Sequence, residues 1–221
     1  MVSIALFCEG ASEVKILNYI ISRYLNDEVE VNPIQPKLNM AGRQVNEGGW
    51  LEVLNHCNDE EIKNVFATND FLVIQIDTDT CPLPNYDVDI YDENHQKVSD
   101  SVLYERVKSR LLKNIGEEIQ TEYADKILFA ICINETECWL LPLYYENDVK
   151  KRCATTNCIY ILNQRLQTDG LGIPDKQKNS PEAIQVYHKV LKNINKKDIP
   201  RIAHYNYGFQ KFVEQMEVLI K

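Results

Sequence analysis

The chain has 221 residues, a hydrophobic content of 44% and a formal net charge of −9. This length is enough to bury a substantial core in one large domain or two small ones. The first residues lack the basic region and cleavage site of a signal peptide, and no later stretch approaches the length of a membrane span. We therefore expect a cytoplasmic protein with no membrane partner.

The cysteine content favours thiols over a disulfide framework. Seven cysteines, an odd number, occur in a chain without a secretion signal, so we expect them to be reduced. Cys153 and Cys158 are separated by four residues, and no matching Cys or His pair follows at zinc-site spacing. The sequence therefore does not predict a structural zinc site.

Charge is distributed unevenly along the chain. Residues 1–148 contain 11 Lys/Arg against 27 Asp/Glu, a net of −16, whereas residues 149–221 contain 13 against 6, a net of +7. Such asymmetry suggests an acidic part that could hold metal and a basic part that could hold phosphates. A basic face that is merely solvated would give the same composition, so the pattern alone leaves both interpretations open.

Apolar runs of strand length alternate with helical periods in the first part of the chain. Strands are predicted at 2–8, 29–34, 71–76 and 127–133, and helices at 14–25, 50–57, 102–119 and 137–145. Strands separated by helices imply parallel pairing with right-handed crossovers, and hence the α/β class. Beyond residue 149 the predicted elements are helices, at 160–166, 183–194 and 209–220.

Three pairs of acidic residues stand directly behind apolar runs. The pairs are Glu9 and Glu13, Asp77 and Asp79, and Glu135 and Glu137. In an open α/β sheet, residues just past the carboxyl ends of the strands converge on one crevice, so these acids could meet. Crowded carboxylates repel one another unless a cation joins them, and a hard divalent ion such as Mg²⁺ prefers oxygen ligands. The placement therefore predicts a metal site.

Each pair also has an ordinary explanation. Glu13 would lie in the first turn of a helix, where an acid compensates the helix dipole. Asp77 and Asp79 would point the same way in an extended segment, although aspartates are also frequent in turns. Glu137 could face a helix start while Glu135 reaches the crevice, or the two roles could be reversed.

The ordered combination of motifs resembles a known family. A hydrophobic strand with Glu-Gly, a helix, and a second hydrophobic strand with Asp-x-Asp are similar to the TOPRIM fold of topoisomerases, bacterial primases and OLD-type nucleases. The matching stretches are Leu6-Phe7-Cys8-Glu9-Gly10 and Val73-Ile74-Gln75-Ile76-Asp77-Thr78-Asp79. The Glu-Gly-x-Ser-Glu form, together with Glu135-Thr136-Glu137-Cys138-Trp139, is closest to the OLD-like branch and to small TOPRIM-like proteins of bacteria and phages.

This resemblance implies a Rossmann-like, mostly parallel sheet flanked by helices. We expect a TOPRIM-like metal-binding domain at 1–148 and a basic, mainly helical extension at 149–221 that packs on it. It also implies Mg²⁺- or Mn²⁺-dependent phosphoryl transfer on nucleic acid, with one or two ions. By the same resemblance, the catalytic residues would be Glu9, Asp77 and Asp79, and the metal ligands would be Glu9, Glu13, Asp77, Asp79, Glu135 and Glu137.

The leading hypothesis is a nuclease that cuts DNA or RNA, in phage defence or a mobile element. Basic residues would hold the backbone: Arg43, Lys150, Lys151, Arg152, Lys189, Lys192, Lys196, Lys197 and Arg201. The sequence contains no Gly-x-x-x-x-Gly-Lys-Ser/Thr phosphate loop, so it lacks the ATPase of OLD nucleases.

Two alternatives remain at this point. One is a catalytically weak TOPRIM-like module that works with a separately encoded ATPase, and the other is a phosphatase or nucleotide hydrolase that acts on small phosphate esters. The sequence leaves the oligomeric state open.

Overall fold

The structure, a computed structural model, describes residues 1–26, 28–174, 177–192 and 194–220. Within these ranges the protein has one four-stranded, all-parallel sheet flanked by helices, which confirms the α/β class. Each predicted strand is present, within one or two residues of its expected bounds. The strands are β1 (Val2–Phe7), β2 (Val29–Gln35), β3 (Phe71–Asp77) and β4 (Ile127–Cys132).

The strand order reverses its winding beside the acids. The order is β2-β1-β3-β4, so the chain leaves β1 in one direction to form β2 and later returns to the other side of β1 to form β3. Ligands of open α/β sheets bind where the winding reverses in this way, outside the carboxyl ends of the strands. Here the reversal lies between β1 and β3, the strands that precede Glu9 and Asp77.

Helices connect the strands, cover both faces of the sheet and make up the described chain after β4. Their bounds are α1 (Ala11–Tyr24), α2 (Trp50–His56), α3 (Asp59–Phe66), α4 (Asp100–Ile115), α5 (Glu117–Tyr123), α6 (Val149–Arg152), α7 (Cys158–Leu166), α8 (Pro181–Leu191), α9 (Asp198–Ala203) and α10 (Tyr207–Met216). The helix predicted at 102–119 is interrupted at Gly116. The φ of Gly116 is +79°, a value that would strain any residue with a Cβ at this position. The helix predicted at 137–145 is a 3₁₀ segment, Thr136–Leu143.

Two hydrophobic clusters cover the two faces of the sheet. Alternate residues of a strand point to opposite faces, and β1 follows this rule. Ile4 and Leu6 pack with α1, the 3₁₀ segment and the helices from α7 onward, whereas Ala5 and Phe7 pack with α2 to α5. The strands therefore read as continuous apolar runs because both faces are buried.

Residues on both sides of position 148 share one cluster. Helix α10 lies against β4 so closely that a Cβ on Gly208 would stand 2.0 Å from the carbonyl oxygen of Ile131. The described residues after position 148 thus complete a layer begun by those before it, while the division into two domains stays a prediction. None of the helices in the described ranges has the length and apolarity needed to cross a bilayer.

The thiol prediction is wrong for one pair of cysteines. Cys138 and Cys158 form a disulfide with their Cα atoms 5.0 Å apart. Cys8, Cys57, Cys81 and Cys132 are buried free thiols, and Cys153 is an exposed one. The pairing was not predicted because the two cysteines lie 20 residues apart, and disulfide connectivity cannot be deduced from sequence alone.

Candidate metal centre

Three carboxylates from distant parts of the chain meet at the carboxyl edge of the sheet. Glu13 lies in the first turn of α1, Asp77 ends β3, and Glu137 lies in the 3₁₀ segment after β4. One oxygen of each lies within 4.8 Å of the others, and the three residues are 0%, 3% and 0% exposed. We call Glu13, Asp77 and Glu137 the acid triad.

Lys178 supplies positive charge to the acid triad. Its Nζ lies 2.7 Å from Glu13 Oε1, 3.3 Å from Asp77 Oδ2 and 3.8 Å from Glu137 Oε2. The Lys178 side chain is 27% exposed. One ammonium therefore stands where carboxylates from three elements converge, at a position that could also hold a metal ion.

A polar network orients Asp77. Its Oδ1 accepts hydrogen bonds from Thr136 Oγ1 at 2.7 Å and Gln75 Nε2 at 2.9 Å. Gln75 Oε1 in turn accepts the backbone N–H of Glu9 at 3.0 Å, and Glu9 Oε1 accepts the backbone N–H of Asp77 at 2.7 Å. These reciprocal bonds join the ends of β1 and β3, so Glu9 and Asp77 are held side by side.

Hydroxyl groups support the other two acids. Tyr187 on α8 donates to Glu137 Oε1 at 2.5 Å, and both side chains are fully buried. Ser12 Oγ donates to Glu13 Oε2 at 2.9 Å. Asn179 lies beside Lys178, and its Oδ1 accepts the backbone N–H of Ser12 at 2.8 Å, at the beginning of α1. The segment that carries Lys178 is thus tied to the helix that carries Glu13.

Burial dominates the electrostatics of the site. It raises the pKa of Asp77 from 3.8 to about 7, against the lowering effect of the Lys178 charge. Burial also raises the pKa of Glu137, again opposed by Lys178, and burial together with the charge of Asp77 raises the pKa of Glu9 well above its usual range. For Lys178, burial would lower the pKa, but the charges of the acid triad raise it well above the ordinary value.

The donor set fits a hard divalent cation. All three ligands are carboxylates, and such ions take oxygen ligands. Glu13 Oε1 and Glu137 Oε2 are buried and accept no aligned hydrogen bond from the described residues; the Lys178 ammonium faces both as an ion pair only. Both buried oxygens thus depend on the Lys178 charge for compensation, and a bound cation could take the place of the ammonium.

The structure separates the members of the predicted acid pairs. Glu9 is half-buried and adjoins Asp77 through its hydrogen bond, although it lies outside the acid triad. Asp79 is exposed, and its backbone N–H donates to the Asn134 carbonyl at 3.3 Å. Glu135 lies with the sulfur atoms of Cys138 and Cys158, not with the acid triad.

The predicted basic residues remain mostly on the surface. Those that are exposed are Arg43, Lys150, Lys189, Lys192, Lys196, Lys197 and Arg201. Arg201 already forms ion pairs with Asp198 and Glu146, and Arg152 stacks over Tyr205 at 4.1 Å. Lys151 Nζ lies 4.9 Å from the Tyr145 ring centre. None of these nine residues contacts the acid triad through an ion pair in the described part of the chain.

Sequence reasoning missed two residues of this site. Lys178 lies in a loop 165 positions after Glu13, with no periodic or spacing pattern around it. Tyr187 belongs to the apolar stripe of α8 and resembles an ordinary core residue. The only sequence signal for Lys178 was the excess of positive charge after residue 149, which marks a region and not a residue.

Comparison with known proteins identified no relative of this chain. No protein-family model, no curated protein and no solved structure matches the chain.

Proposed function

We propose that this protein is a divalent-metal-dependent phosphodiesterase that hydrolyses nucleic acid, in the manner of a TOPRIM nuclease. The observation that carries the proposal is the convergence of Glu13, Asp77 and Glu137, fully buried, from three elements at the point where the sheet reverses its winding. Burying three acids together is costly, and a bound cation would compensate that cost.

The acid triad would hold the metal, with Mg²⁺ or Mn²⁺ as the ion that suits an all-oxygen site. When bound, such an ion can activate water and stabilise the leaving oxygen of a phosphodiester. Thr136 and Gln75 would keep Asp77 oriented, and Tyr187 would keep Glu137 oriented, since each already holds its carboxylate by a hydrogen bond.

Lys178 and a metal ion would compete for the same oxygens. The ammonium would leave the acid triad when the cation binds, and its partly exposed side chain would then reach a substrate phosphate. Glu9 would move the proton, because it stands beside Asp77 and its pKa is raised well above the usual range. The exposed lysines after residue 188 would hold the backbone through phosphate contacts.

A cleavage assay with matched variants tests this proposal. Purified protein is incubated with DNA and with RNA under Mg²⁺ and Mn²⁺, and compared with Asp77→Asn, Glu9→Gln and Asp79→Asn. We expect the first two variants to lose at least 100-fold in rate and Asp79→Asn to lose less, because Asp79 is exposed. Glu93→Gln, at an exposed loop acid, serves as the control. Cleavage that survives Asp77→Asn would exclude this site.

The position of Lys178 also favours a second candidate function. Because the ammonium occupies the position between the three carboxylates, the protein alone would be inactive if nothing displaces the lysine. It would then be a TOPRIM-like module that acts only with a partner, such as a separately encoded ATPase. Isolated protein that binds Mn²⁺ weakly and cuts nothing, but cuts when the partner is added, would support this candidate over the first. Cytoplasmic phage defence is the setting that we propose for either.

A further inference from the structure

A second group of potential metal ligands lies next to the acid triad but differs from it in chemistry. Glu135, Cys138 and Cys158 each place one ligand atom within 4.8 Å of the other two. Cys138 belongs to the 3₁₀ segment after β4, and Cys158 begins α7. Both cysteines are buried, so the group joins two elements beneath the surface.

One carboxylate oxygen of the half-buried Glu135 is without a hydrogen bond among the described residues. Glu135 Oε2 is buried and accepts no hydrogen bond from the described residues. A buried carboxylate oxygen without a donor costs free energy, and a cation would remove that cost. The two sulfur atoms cannot ligate a cation while they form a disulfide, because the thiolate is the form that ligates metal. A cation bound by Glu135 and both sulfur atoms would therefore require the cysteine pair to be reduced.

We propose that reduction of the Cys138–Cys158 disulfide creates a zinc site formed by the two thiolates and the Glu135 carboxylate. Thiolates with a carboxylate suit Zn²⁺, and three protein ligands leave the fourth tetrahedral position to water. The acid triad, which has oxygen donors alone, suits harder ions. The two sites thus select different metals although Glu137 and Cys138 are adjacent in the chain.

A dithiol reductant supplies the electrons and protons that convert the disulfide into two thiols. The reductant transfers two electrons and two protons to the S–S bond, which breaks into the thiols of Cys138 and Cys158 while the reductant becomes a disulfide. Zn²⁺ then displaces one proton from each thiol, and two protons pass to solvent. In a reducing compartment the zinc form would be favoured, and in an oxidising one the disulfide would be favoured.

Cobalt titration tests the site directly, because thiolate ligands give a charge-transfer absorption that carboxylates alone do not. Protein reduced with a phosphine is titrated with Co²⁺, and then with Zn²⁺ to displace it. We expect the band to saturate at one equivalent in reduced protein and to be absent in oxidised protein. Cys138→Ser should abolish it, Glu135→Gln should weaken Co²⁺ binding at least tenfold, and Cys153→Ser, at the exposed free thiol, should leave it unchanged.

A mass-spectrometric measurement keeps the test independent of variant folding. Reduced wild-type protein is alkylated with iodoacetamide with and without Zn²⁺. Because Cys138 and Cys158 are buried, the reaction without Zn²⁺ is followed until both are alkylated; slower alkylation of these two, but not of exposed Cys153, with one equivalent of Zn²⁺ would support the site. If reduced wild-type protein shows neither the cobalt band nor zinc protection, the proposal is wrong. Neither readout involves cleavage of nucleic acid, so this result is separate from the fate of the proposed nuclease activity.

Discussion

The acid triad and the basic helical part, residues 149–221, use charge in opposite ways. The triad gathers three carboxylates at 0–3% exposure around one ammonium, whereas the basic part spreads most of its lysines over the surface. Charges interact strongly when buried and weakly when solvated. Single substitutions should therefore have large effects in the triad and small effects in the basic part. Lys178 connects the two regions, since it belongs to the basic part and contacts the triad.

Lys178→Met should give the largest effect. It removes the ammonium while leaving three buried carboxylates, and breaking a buried ion pair costs about 3–5 kcal/mol. We expect the free energy of unfolding in EDTA to fall by about 3 kcal/mol, with partial recovery in Mn²⁺, which would replace the lost charge. Urea unfolding measures both values. Lys189→Met, at an exposed lysine of α8, is the control, and equal losses in the two variants would remove the distinction between the regions.

The free energy of unfolding should depend on pH through buried Asp77 of the acid triad. The pKa of Asp77 is raised from 3.8 to about 7 by burial, so between these values the folded state binds more protons than the unfolded state. The free energy of unfolding contributed by Asp77 should thus be highest below about pH 4 and should decrease as pH rises toward 7. Melting of metal-free wild type and Asp77→Asn across this range measures it. A gap between the two melting curves that does not change with pH would contradict the assignment.

Tyr187→Phe should have an intermediate effect. The phenol donates to buried Glu137, and a hydrogen bond to a charged group contributes about 1.5–3 kcal/mol. We expect a loss of about 1.5 kcal/mol in urea unfolding and weaker Mn²⁺ binding by calorimetry. Tyr160→Phe, at a tyrosine that is 63% exposed, should change neither quantity.

Replacing Lys189, Lys192, Lys196 and Lys197 together with Gln should have the smallest effect on stability. Surface substitutions usually stay within about 0.5 kcal/mol each. If these lysines hold nucleic acid, the affinity of the protein for nucleic acid should fall. The slope of the logarithm of the binding constant against the logarithm of salt concentration should become shallower by about 0.9 for each lost contact to duplex DNA. Fluorescence anisotropy at several salt concentrations measures the slope. An unchanged slope would mean that the basic part is only a solvated face.

The sequence supported prediction of the sheet more fully than prediction of the site. Strands buried on both faces are continuous apolar runs, so their positions could be predicted from the sequence. The acidic residues that directly follow these runs could be identified in the same way. Helix α3 was not predicted, because only Ile62 and Val65 are buried along its mostly polar length. Within the acid pairs, Asp77 is buried and Asp79 is exposed, a difference set by how the chain turns after β3.

Contacts between distant loops account for what could not be predicted. Lys178 reaches Glu13 across 165 positions, and Cys138 pairs with Cys158 through the packing of α7 on the 3₁₀ segment. Neither contact follows from periodicity or local propensity, because both depend on how the last helices pack on a layer that forms far earlier in the chain.

The long separation between Lys178 and the acids has a consequence for synthesis. A growing chain exposes Glu13, Asp77 and Glu137 well before residue 178 leaves the ribosome. Until then the three acids have no internal counter-charge from Lys178, so a folded early intermediate would have to keep them protonated, solvated or bound to a cation. Closing so long a loop is also slow, which places completion of the site among the last steps of folding. Divalent cations would thus be expected to speed the acquisition of native structure during translation.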